Sequence, residues 1–539
     1  MLIDLRDLSG EDPQSADTLI VGSGAVGLTM AIELARMGRR VTVLEAGGER
    51  LEEQSQDFFK AALWRSRQLP GLHLGRFRVL GGTTNFWGGR LLRFDPIVFE
   101  QRPWVADVGW PIGRHELDAY YERAYELLRM GHHLTDAAVW KRLNIVPPAS
   151  GDELEIFFSA WTPEPNFALL FGDEIKSSAN LCVVVNAPVV ALDLDQAGGR
   201  VTGAFVRTAA GALRHFAAQH VILANGTIEI ARLLKCPLAD GRQAPWASNP
   251  WLGRGFTDHL DCFGGHVVPV DKKRFHDLFD NAYLDGIKYM PKLKLSEQAQ
   301  RNRHLFDAMA QFVFNSNIRE HIGHAKLLVR SLLRGRLEAR LVPDLIASVR
   351  VALPMIVRYL RYRRMYNVAD QGIHLRLISE QIPLVQSAIH LSDRRDSLGM
   401  PIVEMDWQVD GREIETLATL GSLVAQYLET NQLATVRLDP ALVARDRSFF
   451  TKSDDSFHHM GMARMASNSA EGVVDPDLKV FGTHNLYAVG AAVYPTTGSA
   501  NPTFTAIALG LRLAKAICAD RMIASPTEKW AKPVEPTRV

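Results

Sequence analysis

Residues 17–49 read DTLIVGSGAVGLTMAIELARMGRRVTVLEAGGE, and this stretch decides the fold. Thr18–Val21 predicts a short apolar strand, and Gly22-x-Gly24-x-x-Gly27 follows it without a break. Ala31, Leu34 and Ala35 then recur at helical spacing, Gly38 closes the helix, and VTVL makes a second strand that ends at Glu45. In such a unit Gly22 permits the tight turn, Gly24 and Ala25 let backbone approach a pyrophosphate, and Gly27 lets helix pack on strand. The helix N-terminus offers unpaired N–H groups and a positive dipole end to the phosphates. Glu45, 18 residues beyond Gly27, is placed to accept hydrogen bonds from ribose hydroxyls. The motif predicts an α/β dinucleotide cradle. NAD and FAD share that cradle, so it leaves both open.

The rest of the composition is that of an ordinary globular chain. Its 539 residues allow two or three domains, with 47% hydrophobic and 22% charged residues. A formal net charge of +1 gives no electrostatic reason for a nucleic-acid partner. Cys182, Cys236, Cys262 and Cys518 lie far apart, with no CxxC and no Cys/His spacing suited to a metal, and read as reduced thiols. The opening MLIDLRDLSGEDPQSAD lacks an apolar signal core, and no apolar run approaches the ~20 residues of a spanning helix. The expected location is cytoplasmic.

Three further regions carry structure or chemistry. Residues 71–90, GLHLGRFRVLGGTTNFWGGR, hold a second glycine-rich segment. In it Gly81, Gly82, Thr83, Asn85, Trp87 and Gly88 suit polar contacts to a planar cofactor, or equally an Ω-loop packed on its own Trp87. Residues 180–235 predict strands, a hairpin and a strand–turn–helix around Ala224-Asn225-Gly226-Thr227, a meander that returns to the nucleotide domain. The two domains are therefore expected to be interleaved. Residues 325–365 hold Lys326 and nine arginines against Glu338 and Asp344. They read as basic amphipathic helices broken near Pro343 and Pro354, either surface helices or a peripheral membrane or partner contact.

Near the other end lies SFHHMGMARM, with His458 and His459 adjacent. It is followed by a short strand NLYAVG, a small-residue turn at Gly490-Ala491-Ala492, and the loop TTGSAN opening a helix at Pro502. HxxGxxRM with NLYxxG…PTxGxANPT resembles the glucose–methanol–choline type of FAD-dependent oxidoreductase. The pattern is nearest the branch that includes pyranose 2-oxidase and bacterial sugar dehydrogenases. The N-terminal cradle, GGTTNFW, HVILANGTIEIARLL, NPWLGRGFTDHL and EQIPLVQSAIHLSDRRDSLGMP follow the same resemblance in order.

The resemblance implies a Rossmann-like FAD-binding domain interleaved with a substrate domain built on an antiparallel sheet with helices. The FAD-binding parts are expected at 14–135, 181–262 and 456–520, the substrate parts at 136–180 and 263–455, and a tail at 521–539. Val189 would hold the adenine, Ala224 and Gly226 would lie against the adenosine, and Gly490 and Ala491 near the phosphates. The helix from Asn501-Pro502-Thr503 would point at the flavin pyrimidine edge, where a helix N-terminus stabilises negative charge. Covalent members carry His where this chain has Phe86, so the FAD is expected to be non-covalent. Met462 replaces the usual threonine after HxxG.

H-x-x-G places the catalytic imidazole at His458, with Gly461 fixing the register. Neighbouring side chains of an extended segment face opposite ways, so His459 is expected to be a hydrogen-bonded packing residue. Asn501 matches the second active-site position, where relatives carry His or Asn. The implied reaction is oxidation of an alcohol, on a sugar or glycoside or another alcohol, with the electron acceptor open between oxygen, a quinone and a redox protein. A pyridine-nucleotide dehydrogenase would leave the C-terminal motif idle, and a flavin disulfide reductase needs a cysteine pair. A membrane-associated binding subunit without catalysis would have no use for His458 and Asn501.

Overall fold

Ala16–Val21 and Val41–Leu44 are buried at every residue, the pattern of parallel strands covered on both faces. They pair parallel with Thr18 opposite Val41 and Val21 opposite Leu44. In the computed structural model, which describes residues 1–8, 16–317, 353 and 355–524, they stand at the centre of a mainly parallel sheet. Leu181–Val185 and then Leu2–Asp4 extend it on one side, and Leu213–Leu223 on the other, with Leu486–Ala488 paired beyond. Leu213–Leu223 is long enough to serve twice: its first half pairs antiparallel with Val201–Arg207, which in turn pairs with Val189–Leu194. The expected meander thus hangs from the same strand that completes the parallel sheet.

Helix Ala25–Arg36 covers this sheet, and Gly38, at φ +82°, ends it in the left-handed conformation typical of such a cap. Gly27 is required by contact. A Cβ there would lie 2.0 Å from the carbonyl oxygen of Gly22. Helix Thr503–Ala524 packs beside Ala25–Arg36, and Pro502 sits one residue before it, its carbonyl accepting the N–H of Ala506.

The second layer is an antiparallel sheet ordered Ala434–Leu438, Leu260–Pro269, Ile373–Ser379, Ala308–Phe314, Ile287–Leu295, Leu154–Trp161 and Arg90–Leu91. Helix Glu413–Thr430 lies across it, burying Leu417, Leu420, Val424 and Leu428 at helical spacing. A small third sheet joins Ala388–Arg395, Pro401–Asp406 and Leu63–Trp64. The chain crosses between layers repeatedly, as an interleaved two-domain α/β fold does.

Of the basic stretch 325–365, residues 325–352 and 354 lie outside the described residues, as do 525–539 of the tail. The described part forms a helix over 355–362. It is tied down by Arg358, paired with Asp277 and Asp280, and followed by the buried Arg364, which donates to the carbonyls of His276 and Asp280. No helix among the described residues is long and apolar enough to cross a membrane.

Candidate active site

The carboxyl ends of the parallel strands open into a continuous cavity of about 580 Å³ that reaches the face of the antiparallel sheet. It is lined by Gly22, Gly24, Ala25 and Glu45 of the first turn, and by Gly82, Thr83, Trp87 and Gly88 of the second glycine-rich segment. Val189, Ala224, Gly226, Gly490, Ala491, Pro502 and Thr503 line it as well, as do His458 and Asn501. Residues drawn from four separate parts of the chain thus meet around one volume. A Cβ at Gly24, Gly226 or Gly490 would meet nothing within 4 Å, so these backbones face open space. The side-chain oxygen of Asn225 is buried beside them without a partner among the described residues. Bare backbone, an orphaned amide and two helix N-termini, those of Ala25–Arg36 and Thr503–Ala524, fit a large anionic dinucleotide.

Three residues have other duties. Gly27 packs on the turn, as above. Gly81 and Asn85 are not among the lining residues. The Asn85 amide donates to the carbonyls of Leu80 and Gly82 and accepts from Asn166, holding the loop in a 3-10 turn over Gly82–Asn85. Glu45 accepts from the backbone and hydroxyl of Ser23 (3.0 and 2.6 Å) and from the N–H of Gly47 (2.9 Å). It lines the cavity while bracing the turn that precedes it. Phe86 is 53% exposed and stacks on Phe77, ring centres 3.7 Å apart.

The imidazole geometry fixes proton positions. His259 Nε2 lies 2.9 Å from the carbonyl oxygen of Gly498, which only accepts, so this nitrogen carries hydrogen. Burial pushes the pKa of His259 down to about 4, so the ring is neutral and its Nδ1 is an acceptor. His458 Nδ1 lies 2.9 Å from it and must donate. The lone pair of His458 is therefore on Nε2, 2.9 Å from the side-chain nitrogen of Asn501, which donates to it. The side-chain oxygen of Asn501 is buried without a partner among the described residues. Burial, reinforced by the nearby His259 and Arg90, pushes the pKa of His458 well below the usual imidazole range. A neutral base with its lone pair aimed past an amide donor results.

Backbone contacts place that base. Asp258, fully buried, accepts from the N–H groups of His458, Ser456 and His259. Phe457 adopts φ +58°, so the segment is kinked rather than plainly extended. Gly461, at φ +81°, approaches so closely that a Cβ would sit 2.1 Å from the carbonyl of Gly255. Met462 is buried, and its carbonyl accepts from the N–H of Gly253.

The adjacent His459 also borders the cavity, its Nε2 3.9 Å from Asp258 and without a hydrogen-bond partner among the described residues. It is thus a packed residue that lacks the expected bond at that nitrogen. Asp258, Asp455 and His459 present ligand-type atoms within 4.8 Å of one another, but the two carboxylates are engaged by backbone N–H groups, that of Gly71 for Asp455.

A second tier holds the loop that orients His259. Glu380, buried, accepts from the N–H groups of Thr497 and Gly498 and forms two 2.7 Å bonds with the buried Arg102. Asp307 accepts from Ser499 at 2.7 Å. The relay therefore runs from Arg102 and Glu380 through the 497–499 loop to His259, His458 and Asn501. Of these, His259, Asp258, Glu380, Arg102 and Asp307 have no role in the motif reading. Asp258, His259 and Glu380 lie in the stretches GFTDHL and EQIP that follow the family resemblance, while Arg102 and Asp307 lie outside every motif.

Burial makes His459, like His259 and His458, acid-sensitive. His459 is pushed down to about 3, whereas an unfolded histidine titrates near ~6.5. Its neutral form contributes stability above that range, lost as pH falls, because the unfolded chain then binds the extra proton. Asp307 and Asp455, both raised to about 6, act in the opposite direction below that pH. The difference between wild type and His459→Gln isolates the histidine. The wild-type advantage is expected to shrink by about 1.4 kcal/mol per pH unit below ~6.5. Urea unfolding of both proteins at pH 7 and pH 5 measures it, and equal differences at the two values refute it.

Residues 383–510 match the family GMC oxidoreductase, and residues 17–245 match the family FAD dependent oxidoreductase. The chain belongs to the GMC oxidoreductases. As a member it binds FAD and acts on CH–OH donors. This GMC oxidoreductase is similar to a paromamine 6'-oxidase of Streptomyces fradiae, 24% identical over 95% of this chain and 92% of the relative. It is also similar to a 2-methyl-1,2-propanediol dehydrogenase of Mycolicibacterium austroafricanum, 21% identical over 92% of this chain and 94% of the relative. A C-glycoside 3-oxidase of Microbacterium trichothecenolyticum is 31% identical over 23% of this chain and 22% of the relative. Among solved structures, formate oxidase of Aspergillus oryzae superposes with TM-score 0.57 at 18% identity, covering 95% of this GMC oxidoreductase and 100% of that chain. A fungal aryl-alcohol oxidase superposes with TM-score 0.56 at 16% identity over the same shares.

Proposed function

We propose that this GMC oxidoreductase oxidises a secondary hydroxyl of a sugar or glycoside to a carbonyl, with His458 as the base. The observation that carries the reading is the lone pair of His458 Nε2, fixed by the His259 relay and facing the cavity beside Asn501. FAD, when bound, supplies the hydride acceptor. Gly22, Gly24, Ala25 and the N-terminus of Ala25–Arg36 would hold its pyrophosphate. Val189, Ala224 and Gly226 would flank the adenosine, with Gly490, Ala491 and Thr503 toward the other end. His458 Nε2 takes the proton of the substrate hydroxyl, becoming imidazolium, and its Nδ1–H stays on His259. The second amide N–H of Asn501 is placed to donate to the same oxygen as negative charge develops there. Because His458 is neutral without effort at pH 7, no proton need leave it before turnover.

Support for a sugar comes from the relatives named as paromamine and C-glycoside oxidases. The diol dehydrogenase, matched along nearly its whole length, favours a non-sugar alcohol as the second reading. Anaerobic mixing with a panel of sugars, glycosides and simple diols, followed by flavin absorbance, decides between them. Bleaching by diols alone would overturn the sugar assignment. Admitting air then separates transfer to oxygen from transfer to a quinone or redox protein.

Phe86 offers no nitrogen for a flavin bond, and we infer that the FAD is held non-covalently. Acid precipitation is expected to leave all the yellow colour in the supernatant. Flavin retained in the protein pellet would refute it.

A further inference from the structure

Alcohol oxidation needs a base and a donor, but the cavity also holds cations that it leaves unexplained. Arg90 and Arg376 both line it. Arg376 is accounted for, since it grips both carboxylate oxygens of Asp261. Arg90 is not. Among the described residues its Nη1 reaches only the neutral amide of Gln311 at 3.3 Å and its Nη2 only the sulfur of Met290 at 3.6 Å. Its Nε is buried with no partner among the described residues. Its guanidinium carbon lies 4.9 Å from the ring centre of Trp161, and Lys288 Nζ lies 3.7 Å from the same indole. Lys292, buried near enough to feel both arginines, has only the sulfur of Met309 at 3.1 Å. Arg90 and Lys288 thus flank Trp161, Arg376 and Lys292 lie within electrostatic reach of Arg90, and the carboxylate of Asp261 is already taken by Arg376.

A buried guanidinium without a carboxylate is costly unless something supplies one. Both terminal nitrogens of Arg90 are only weakly engaged, by a neutral amide and a thioether, and a carboxylate meets such a planar pair with two parallel bonds. We propose that the alcohol substrate carries a carboxylate that Arg90 binds, which makes it a sugar acid or a similar hydroxy acid. The carboxylate takes no part in the redox step; it anchors the molecule while a hydroxyl elsewhere on it faces His458. The same charges disfavour substrates bearing an ammonium group. This inference rests on the reading of the cavity as an alcohol-oxidising site.

The test uses the FAD-loaded enzyme and matched probes: D-glucuronate against D-glucose, D-galacturonate against D-galactose, and D-glucose 6-phosphate. Anaerobic flavin reduction is expected to show kcat/KM at least tenfold higher for the uronate of each pair. In Arg90→Gln that uronate-to-neutral ratio is expected to fall about a hundredfold, mostly through KM, and Arg90→Lys to recover part of it. Calorimetric titration with D-glucuronate gives a readout independent of turnover, with binding expected in the wild type and lost in Arg90→Gln. Preference for the neutral sugars, or for the phosphate over the uronates, overturns the proposal. So does a drop for both members of a pair with a shifted pH profile, since Arg90 would then be acting on His458. If none of the probes reduces the flavin, the sugar reading fails. Glucuronate binding that depends on Arg90 would still support the carboxylate site, and its absence would refute it.

Discussion

Replacing His458 by alanine is expected to slow anaerobic flavin reduction roughly 10³-fold at neutral pH while leaving the bound flavin in place. The neutral imidazole holds its lone pair on Nε2 because two hydrogen bonds in series fix it, from His259 Nε2 to the Gly498 carbonyl and from His458 Nδ1 to His259 Nδ1. Alanine removes the base at the cavity end of that line, and Asn501, left with an unpaired amide, has no proton affinity to replace it. The wild-type rate is expected to be flat from pH 8 to well below ~6.5 and to fall only in stronger acid, since burial depresses His458. Stopped-flow absorbance on both proteins measures this. A loss of less than tenfold would remove His458 from the base role.

The second large effect is on stability. Glu380→Gln keeps the shape of the side chain and leaves Arg102 as an uncompensated buried cation, with both groups almost wholly enclosed. Breaking such a pair costs about 3–5 kcal/mol. The carboxylate also receives the N–H groups of Thr497 and Gly498, so the loop carrying the His259 acceptor loses its anchor. A clearly lower urea midpoint is expected, with part of the loss recovered in Glu380→Gln combined with Arg102→Met, which removes the stranded charge. An unchanged midpoint in the single variant would mean that the pair is dispensable.

What could be read from sequence divides along a physical line. Gly22, Gly24 and Gly27 were legible because steric need fixes residue type and spacing locally, and Gly27 packs against Gly22 as that need demands. His458 and Asn501 were legible as a family pattern, and they meet at 2.9 Å across 43 residues. His259 was not, although it lies in a stretch whose resemblance was plain. Nothing in TDHL tells whether a histidine faces solvent or another imidazole 199 residues away. Glu380 and Arg102 were hidden for the same reason, since the value of a buried ion pair depends on enclosure, which only long-range packing provides. The second glycine-rich segment reads two ways, and the structure uses both: Gly82, Thr83 and Trp87 line the cavity while Asn85 turns inward to hold the loop. Arg90–Leu91, too short to show alternation, joined the antiparallel sheet through pairing with Ala160 and Trp161.

The parallel sheet takes its strands from residues as early as Leu2 and as late as Ala488, and the helix packed beside its covering helix begins at Thr503. On the ribosome, therefore, neither layer can be finished in turn while the next is being made. Leu213–Leu223 must wait, with one edge unpaired where Leu486–Ala488 will dock, through more than 260 further residues. At ~5–20 residues per second that is a wait of roughly 13–50 s with an open, apolar strand edge, the state in which chains stick to one another. Premature termination anywhere before the last helix would accordingly yield an aggregating fragment with no place for flavin, never a smaller working enzyme.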